Sequence, residues 1–150
     1  MILVTDILRW EEGCSLKPYV DTLGYPTIGV GKRIGPKGAS IDKYQFEITQ
    51  EIADLWLNEE IGESQLHGES WLDKLDSDKH IIIMSMEYQL GYSGLSKFKK
   101  MIEALKAGDC SEAKKQALDS KWAKQTPERA MRHARVLGGE SLESVYAEYM

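Results

Sequence analysis

The sequence predicts a mainly helical α+β protein with one small β-hairpin near its N-terminus. Two observations predict this class. Residues 13–38 hold 6 of the 13 glycines and 3 of the 4 prolines, which is typical of turns and hairpins. Most of the remaining chain repeats apolar residues at helical spacing. With 150 residues, the chain can bury a core as one domain or as two small lobes.

A first helix and the hairpin are expected at the N-terminal end. The helix ends at Gly13, because glycine readily takes the positive φ of a C-terminal cap. The apolar stripe of this helix consists of Leu3, Ile7 and Leu8. Two β-leaning runs, residues 19–22 and 27–30, are separated by a short turn segment and predict the hairpin. A loop through residues 35–38 follows.

A long helix and a buried helix come next. Thr49 is a candidate N-cap for a helix that runs to about His67. The predicted apolar face of this helix consists of Ile52, Leu55, Trp56 and Ile61. Residues 79–90 form the most apolar stretch, which predicts a buried helix ending at Gly91.

Four more helices are expected in the C-terminal part. One begins near Phe98, and Asp109 caps the next as part of a capping box. Residues 126–127, Thr-Pro, predict the start of a third helix, because proline suits the first helical position. Ser141 precedes a closing amphipathic helix.

These elements predict a two-lobe organisation within a single domain of residues 1–150. The small β-hairpin lobe comprises residues about 14–48, and a connecting helix covers about 49–67. The larger helical lobe comprises residues about 68–150 together with helix 1, residues 1–13. A cleft between two lobes is a favoured position for a ligand site.

Several classes of protein are excluded by the sequence. No purely apolar run is longer than four residues, as at 81–84, whereas a membrane span needs about 20 residues. The first residues lack the basic and apolar regions of a signal peptide. Cys14 and Cys110 are far apart and the three histidines are dispersed, so no metal-ligand spacing is present. We therefore expect no metal and no other cofactor.

Charge is distributed unevenly along the chain. Residues 42–78 contain 11 acidic side chains and 2 lysines, whereas residues 97–135 contain 11 basic and 5 acidic side chains. Such asymmetry is compatible with a surface for a polyanion and equally with the solvated faces of amphipathic helices. The basic segment contains no recognised nucleic-acid motif, and we expect no nucleic-acid partner.

Two carboxyl groups stand near the predicted hairpin. Glu12 ends the first helix, and Asp21 lies in the first β-run. Glycoside hydrolysis needs such a pair, because one protonated acid assists the leaving oxygen and one carboxylate activates water or stabilises positive charge. Two acids at this separation also occur on solvated surfaces, so the pair alone leaves both interpretations open.

The residues around this pair carry a resemblance to a known family. Glu12 is followed by eight residues and Asp21, and then by five residues and Thr27. The segment EGCSLKPYVDTLGYPTIGVG at 12–31 resembles the catalytic segment of the phage-type lysozymes, the endolysins of the T-even coliphage type. The segment SKWAKQTPERAMR at 120–132 is similar to the C-terminal signature of that family.

The resemblance implies a fold and a reaction. The fold would be lysozyme-like, and the reaction would be hydrolysis of the bond between N-acetylmuramic acid and N-acetylglucosamine with inversion. Glu12, rather than its neighbour Glu11, matches the general acid, while Asp21 and Thr27 would hold the attacking water. An inverting enzyme separates its two carboxyl groups by about 6.5–9.5 Å to admit that water. Arg129 matches the family arginine that approaches the catalytic glutamate, so it is expected to support Glu12.

Substrate-binding positions are also implied by the resemblance. Gly31 and Gln89 match family residues in type. Four further positions contact sugar in the family but differ in type here, and they are Arg33, Tyr88, Met101 and Gln116. Lys32 stands where the family often has histidine, so any ion pair of that histidine is absent or altered.

The expected partners are peptidoglycan glycan strands. The resemblance implies an endolysin that acts as a monomer, is not embedded in a membrane and waits in the bacterial cytoplasm. A separate holin-type pore would then give it access to the wall. Two alternatives remain open, a lytic transglycosylase and a non-catalytic cell-wall binder.

Overall fold

The computed structural model describes all 150 residues and confirms the α+β class. Helices contain 61% of the residues, and a small antiparallel sheet has three strands in the order β1-β2-β3. The strands are β1 (Ser15–Val20), β2 (Pro26–Gly29) and β3 (Lys32–Arg33). The helices are α1 (Val4–Glu12), α2 (Gln50–Gly62), α3 (Ser70–Asp73), α4 (Ser77–Ser96), α5 (Lys99–Lys106), α6 (Cys110–Leu118), α7 (Lys121–Gln125), α8 (Pro127–Leu137) and α9 (Leu142–Tyr146). No helix combines the length and the hydropathy that crossing a membrane requires.

The backbone divides into two compact units. The first, called the sheet unit below, comprises Thr5–Glu63, and the second, called the helical unit, comprises Met1–Val4 with Ser64–Met150. The sequence led us to expect helix 1 in the helical lobe, but α1 from Thr5 onward belongs to the sheet unit. An ion pair of 2.8 Å between Arg9 and Asp54 joins α1 to α2 within this unit.

The predicted hairpin is present and is extended by a third strand. Tyr19 lies opposite Thr27 and Val20 lies opposite Pro26, with an irregularity earlier in β1. The third strand, β3, pairs with Thr27 and Ile28 and was not expected from the sequence. Two residues are too few for an alternating pattern, so pairing with β2 alone identifies this strand.

The apolar face predicted for α2 is only partly correct. Thr49 caps the helix as expected, because its hydroxyl oxygen accepts the Ile52 N–H at 3.2 Å. The buried residues are Ala53 and Leu57, whereas Ile52 and Leu55 are 38% and 56% exposed. The helix faces a small core that consists of Ile28, Ile48 and Ala53, with Ile34 and Trp56 packed against it. The position of the sheet therefore decides which residues of α2 are buried.

The helix α2 is also shorter than expected, because it ends at Gly62 and not near His67. A separate 3₁₀ turn, Gln65–Gly68, follows, and Ser64 caps it by accepting the Leu66 N–H at 3.2 Å. A serine cap so soon after a helix starts a new element with its own axis.

The buried helix of the helical unit follows the prediction closely. Ile82, Ile83 and Met86 are fully buried on α4, and Gly91 interrupts the helix with φ 76° and ψ 164°. Helical geometry resumes after Gly91 and continues to Ser96.

The predicted helix starts in the C-terminal part are mostly confirmed. Asp109 caps α6 by accepting the Glu112 N–H, and Ser141 caps α9 by accepting the Ser144 N–H, both at 3.1 Å. Thr126 precedes Pro127 at the start of α8, but its hydroxyl donates to the Trp122 carbonyl at 3.1 Å instead of capping that helix.

Acidification should destabilise the protein through His133, which is fully buried on α8. Burial, reinforced by the positive charges of Arg129 and Arg132, holds the pKa of His133 well below its ordinary value of 6.5. As the pH falls below that value, His133 binds a proton in the unfolded chain but stays neutral in the folded protein. The free energy of unfolding therefore falls by up to about 1.4 kcal/mol per pH unit.

Urea denaturation between about pH 7 and pH 5 tests this, with His133→Gln as the control because glutamine does not titrate. The wild type should lose stability faster than the variant as the pH falls. Equal pH dependence of the two proteins would contradict the prediction.

Candidate active site

The carboxyl group of Glu12 lies at the point where α1 ends. Gly13 follows with φ 74°, and its N–H donates to the Arg9 carbonyl at 2.9 Å. Gly31 lies against the Glu12 carboxyl group, because a Cβ atom built on Gly31 would stand only 3.2 Å from Glu12 Oε2. Gly31 also has a positive φ of 67°, which favours glycine. The end of a helix and a turn without a side chain therefore place Glu12 in the sheet unit.

Asp21 directly follows β1 and holds the turn to β2. Its Oδ1 atom accepts the N–H groups of Leu23 and Tyr25, each at 2.9 Å. Its Oδ2 atom lies 3.4 Å from Arg33 Nε. The Tyr25 N–H, helped by the Leu23 N–H and by Arg33, lowers the pKa of Asp21 below its ordinary value. Asp21 is thus an ionised hydrogen-bond acceptor at neutral pH.

Thr27 is buried in β2, close to the Asp21 turn. It is 1% exposed, and its hydroxyl donates to the Tyr25 carbonyl at 2.8 Å. With its proton used in this way, the Thr27 hydroxyl oxygen retains lone pairs that can accept a further hydrogen bond.

Tyr19 connects the two carboxylates electrostatically, and sequence reasoning assigned it no role. Burial raises the pKa of the Tyr19 phenol, and the negative charges of Glu12 and Asp21 raise it further. Tyr19 stands opposite Thr27 in the sheet. A sequence signal for a role of Tyr19 was available. Tyr19 stands two residues before Asp21 on the same β-run, and this spacing predicts that the two side chains lie on the same side of the strand.

The residues after Gly31 are engaged within the sheet unit. Lys32 Nζ lies 3.0 Å from Glu60 Oε1, and it stands 5.8 Å from the centre of the Trp56 ring. The guanidinium of Arg33 stacks over Tyr25 with its carbon 3.8 Å from the ring centre. Lys32 thus forms an ion pair at a position where we expected the ion pair of the family histidine to be absent or altered. Arg33 contacts Asp21 as well as Tyr25.

The other predicted substrate residues belong to the helical unit, where several lie at or near a half-open cavity of about 510 Å³. Met101 lines its floor and is only 1% exposed, while Gln116 is partly buried there. Gln89 accepts the indole N–H of Trp122, a lining residue, at 2.8 Å. Tyr88 precedes Gln89 on α4 and is partly buried. Four lysines also line the cavity, and they are Lys97, Lys99, Lys100 and Lys121.

Arg129 is buried in the helical unit at 7% exposure. Its Nη2 atom donates to the backbone carbonyl of Ser85 at 3.2 Å and to the Ser85 hydroxyl at 3.1 Å.

The predicted site residues fall into two groups. One group belongs to the sheet unit and consists of Glu12, Asp21, Thr27, Gly31 and Arg33. The other belongs to the helical unit and consists of Tyr88, Gln89, Met101, Gln116 and Arg129.

The chemistry of the sheet-unit group is that of paired carboxyl groups beside a hydroxyl acceptor. One carboxylate is held ionised by backbone donors, and the other lies at a helix end against a bare glycine. No cluster of three or more histidine, cysteine, aspartate or glutamate side chains is suited to hold a metal ion. The two carboxyl groups and the hydroxyl acceptor are suited to acid and base catalysis.

Comparison with known proteins identifies similar chains. The phage lysozyme family model matches residues 9–136, which include every predicted site residue. The pre-baseplate central spike protein Gp5 of Enterobacteria phage T4 is 30% identical over 97% of this chain, which spans only 29% of that protein. Two Dictyostelium discoideum proteins, probable T4-type lysozymes 1 and 2, are 29% and 28% identical. Those matches cover 86% and 85% of this chain and 89% and 88% of the two relatives.

Replacing Gly31 with alanine should disturb the Glu12 carboxyl group, whereas Gly38→Ala should not. Both glycines have positive φ, 67° and 84°, so each substitution should lower the free energy of unfolding by about 1 kcal/mol. Only at Gly31 does the added Cβ approach Glu12, since at Gly38 it meets nothing within 4 Å.

The measurement is the ¹³C NMR signal of the Glu12 side-chain carboxyl, with urea denaturation to compare stability. We expect similar stability losses and a displaced signal in Gly31→Ala alone. An unmoved signal, or one displaced equally in both variants, would contradict the contact.

Proposed function

We propose a reaction for this chain, which belongs to the phage lysozyme family and is a lysozyme-type glycoside hydrolase. The proposed reaction is cleavage of the β-1,4 bond between N-acetylmuramic acid and N-acetylglucosamine in peptidoglycan. The observation that carries the proposal is the pairing of two differently held carboxyl groups in one unit. Asp21 is held ionised by two backbone N–H groups. The negative charges of Glu12 and of Asp21 both raise the pKa of Tyr19, so both carboxyl groups act on one side chain.

Glu12 acts as the general acid in this proposal. Its proton passes to the glycosidic oxygen while the bond from that oxygen to the anomeric carbon breaks. The leaving sugar departs with a new hydroxyl group, and Glu12 is left as a carboxylate. The contact with Gly31 supports this role, because a glycine leaves room beside the carboxyl group for a substrate oxygen.

Asp21 and Thr27 orient the attacking water. The water donates one hydrogen bond to the Asp21 carboxylate and another to the Thr27 hydroxyl oxygen. The Thr27 hydroxyl itself donates its hydrogen bond to the Tyr25 carbonyl oxygen, so its oxygen is available as an acceptor. Its oxygen bonds to the anomeric carbon on the face opposite the leaving group, and its proton passes to Asp21. The product is therefore inverted. Exchange with solvent afterwards returns a proton to Glu12 and removes one from Asp21.

Substrate contacts outside the bond being cleaved are proposed for the remaining residues. In the sheet unit, Gly31 and Arg33 would meet the glycan. In the helical unit, Tyr88 and Gln89 would contact sugar. Met101 and Gln116, which line the cavity with the four lysines, would contact the part of the glycan that enters it. The basic side chains around this cavity favour the anionic groups of cell wall. Arg129 is proposed to support Glu12.

The biological role that we propose is host cell lysis by a single lysozyme domain of residues 1–150. The chain would be an antibacterial endolysin that acts as a monomer. It would wait in the bacterial cytoplasm and reach the wall through a separate holin-type pore, with no nucleic-acid partner. Two alternatives make different products. A lytic transglycosylase leaves anhydro ends, and a non-catalytic wall binder releases no fragments.

Glu12→Gln should abolish wall hydrolysis, whereas the neighbouring Glu11→Gln should not. Glutamine keeps the shape of the side chain but has no proton to transfer, and general acid catalysis contributes about 10²–10⁴-fold to rate. The measurement is loss of turbidity of Gram-negative cells stripped of their outer membrane, with mass spectrometry of the released fragments. Reducing muramic ends released by wild type and Glu11→Gln support the proposal. Anhydro ends indicate a transglycosylase, and an active Glu12→Gln variant overturns the assignment.

Asp21→Asn and Asp21→Ala should separate the chemical role of Asp21 from its structural one. Asparagine can still accept the Leu23 and Tyr25 N–H groups through its side-chain oxygen but carries no charge, whereas alanine leaves both donors without that acceptor. We expect both variants to lose at least about 10²-fold in kcat and only Asp21→Ala to lose thermal stability markedly. Wild-type kcat in Asp21→Asn would exclude the carboxylate as a base.

A further inference from the structure

A chain of buried polar groups links three helices of the helical unit. Tyr146 Oη lies 3.0 Å from His133 Nδ1, and His133 Nε2 lies 2.8 Å from Ser85 Oγ. The Ser85 hydroxyl in turn lies 3.1 Å from Arg129 Nη2. Ser85, His133 and Tyr146 have no exposed surface at all. This series of hydrogen bonds therefore runs from Tyr146 on α9 through His133 on α8 to Ser85 on α4, and it reaches the Arg129 guanidinium.

The Ser85–His133 pair has the spacing of a nucleophile and its base, but it cannot serve as one. Both residues are 0% exposed, so no substrate atom reaches the Ser85 hydroxyl. Any effect of this pair on the reaction must pass through a residue that it holds. The only strongly charged group bonded to Ser85 in this chain of contacts is Arg129.

The chemistry of the groups fixes one hydrogen-bond direction in this network, the donation from Arg129 to Ser85. A guanidinium only donates, so the Ser85 hydroxyl oxygen accepts from Arg129. Burial, with the charges of Arg129 and Arg132, lowers the pKa of His133, so the ring is neutral and offers one acceptor nitrogen. One ring nitrogen carries the proton and the other accepts, and the contacts fit both tautomers. Either Ser85 donates to Nε2 and Nδ1–H donates to Tyr146 Oη, or Tyr146 donates to Nδ1 and Nε2–H donates to Ser85 Oγ.

We infer that His133 is a positioning residue, which fixes the Ser85 hydroxyl so that its oxygen accepts from Arg129. A serine inside a helix otherwise tends to turn its hydroxyl toward the carbonyl four residues earlier. In either tautomer the hydrogen bond to His133 Nε2 holds Ser85 Oγ in place, and a lone pair of that oxygen remains to accept from Arg129 Nη2. Together with the Ser85 backbone carbonyl, at 3.2 Å from the same Nη2 atom, this fixes the guanidinium.

The consequence for the reaction rests on the proposed function, in which Arg129 supports Glu12. A guanidinium free to change rotamer would stabilise the charge of its partner less well in the transition state than one that is already fixed. Loss of the His133 contact should therefore lower kcat rather than weaken substrate binding.

The first experiment compares His133→Phe with His133→Gln. Phenylalanine keeps a ring but loses both nitrogens, whereas the amide of glutamine still offers one acceptor and one donor to Ser85 and Tyr146. We expect His133→Phe to lose about tenfold in kcat with KM changed less than about twofold, and His133→Gln to recover most of the loss. Equal kcat for His133→Phe and the wild type would overturn the inference.

A double-mutant cycle with Ser85→Ala shows whether His133 acts through the hydroxyl of Ser85. If it does, the double variant Ser85→Ala with His133→Phe should have a kcat within about twofold of Ser85→Ala alone. If the fold losses in kcat of the two single variants instead multiply in the double variant, the inference is overturned. Leu72→Ala, in the core of the same unit and outside the site, serves as the control for destabilisation. It should lower Tm without the loss of kcat.

A readout without catalysis keeps this test separate from the proposed function. The Arg129 Nε–Hε signal in a ¹⁵N–¹H NMR spectrum should broaden or shift in Ser85→Ala and His133→Phe, but stay near its wild-type position in His133→Gln. Failure of the proposed function appears instead as an active Glu12→Gln variant or as anhydro products. An unchanged Arg129 signal in a folded His133→Phe variant overturns the positioning role whatever the products are.

Discussion

The turn between β1 and β2 depends on one carboxylate oxygen. Asp21 Oδ1 accepts two backbone N–H groups, from Leu23 and Tyr25, and so closes the turn on itself. The same turn sets the register that brings Tyr19 opposite Thr27. Because those hydrogen bonds favour the ionised form, the interaction that shapes the hairpin also keeps Asp21 charged. Structure and electrostatics at this position have a single cause.

Glu12 is placed by different means from Asp21. It stands at the end of a helix, and the neighbouring backbone at Gly31 approaches its carboxyl group where no side chain could fit without displacement. Separate surroundings allow two carboxyl groups of one unit to perform different tasks. Tyr19, which responds to the charges of both, marks the region that they share.

The helical unit combines an apolar core with a few buried polar contacts that are directional. Gln89 holds the Trp122 indole, and Ser85 holds Arg129, each through a hydrogen bond between helices distant in sequence. Apolar packing alone permits small shifts of helices and rotamers, whereas a buried polar group must keep its partner. Such contacts therefore give this unit defined side-chain positions near its cavity.

Local patterns were sufficient for most of the elements, whereas the candidate residues of the sheet unit came from the resemblance to a known family. Caps at Thr49 and Asp109 and the stop at Gly91 are short-range effects of backbone geometry and hydrogen bonding, so they can be read from neighbouring residues. Glu12, Asp21 and Thr27 were instead singled out by the resemblance of their segment to the phage-type lysozymes. The roles of these three residues remain proposals.

Features set by contacts between distant segments could be assigned only from the tertiary structure. The buried face of α2 is chosen by Ile28 and Ile48, and the short strand β3 exists because β2 lies beside it. The link from Tyr146 to Arg129 likewise joins helices far apart in sequence. The sequence by itself determined the fold class and most helix ends, because these depend on neighbouring residues, and its resemblance to a family indicated the candidate acids. Packing decided which faces are buried and which polar groups meet, because those choices depend on which segments come together in three dimensions.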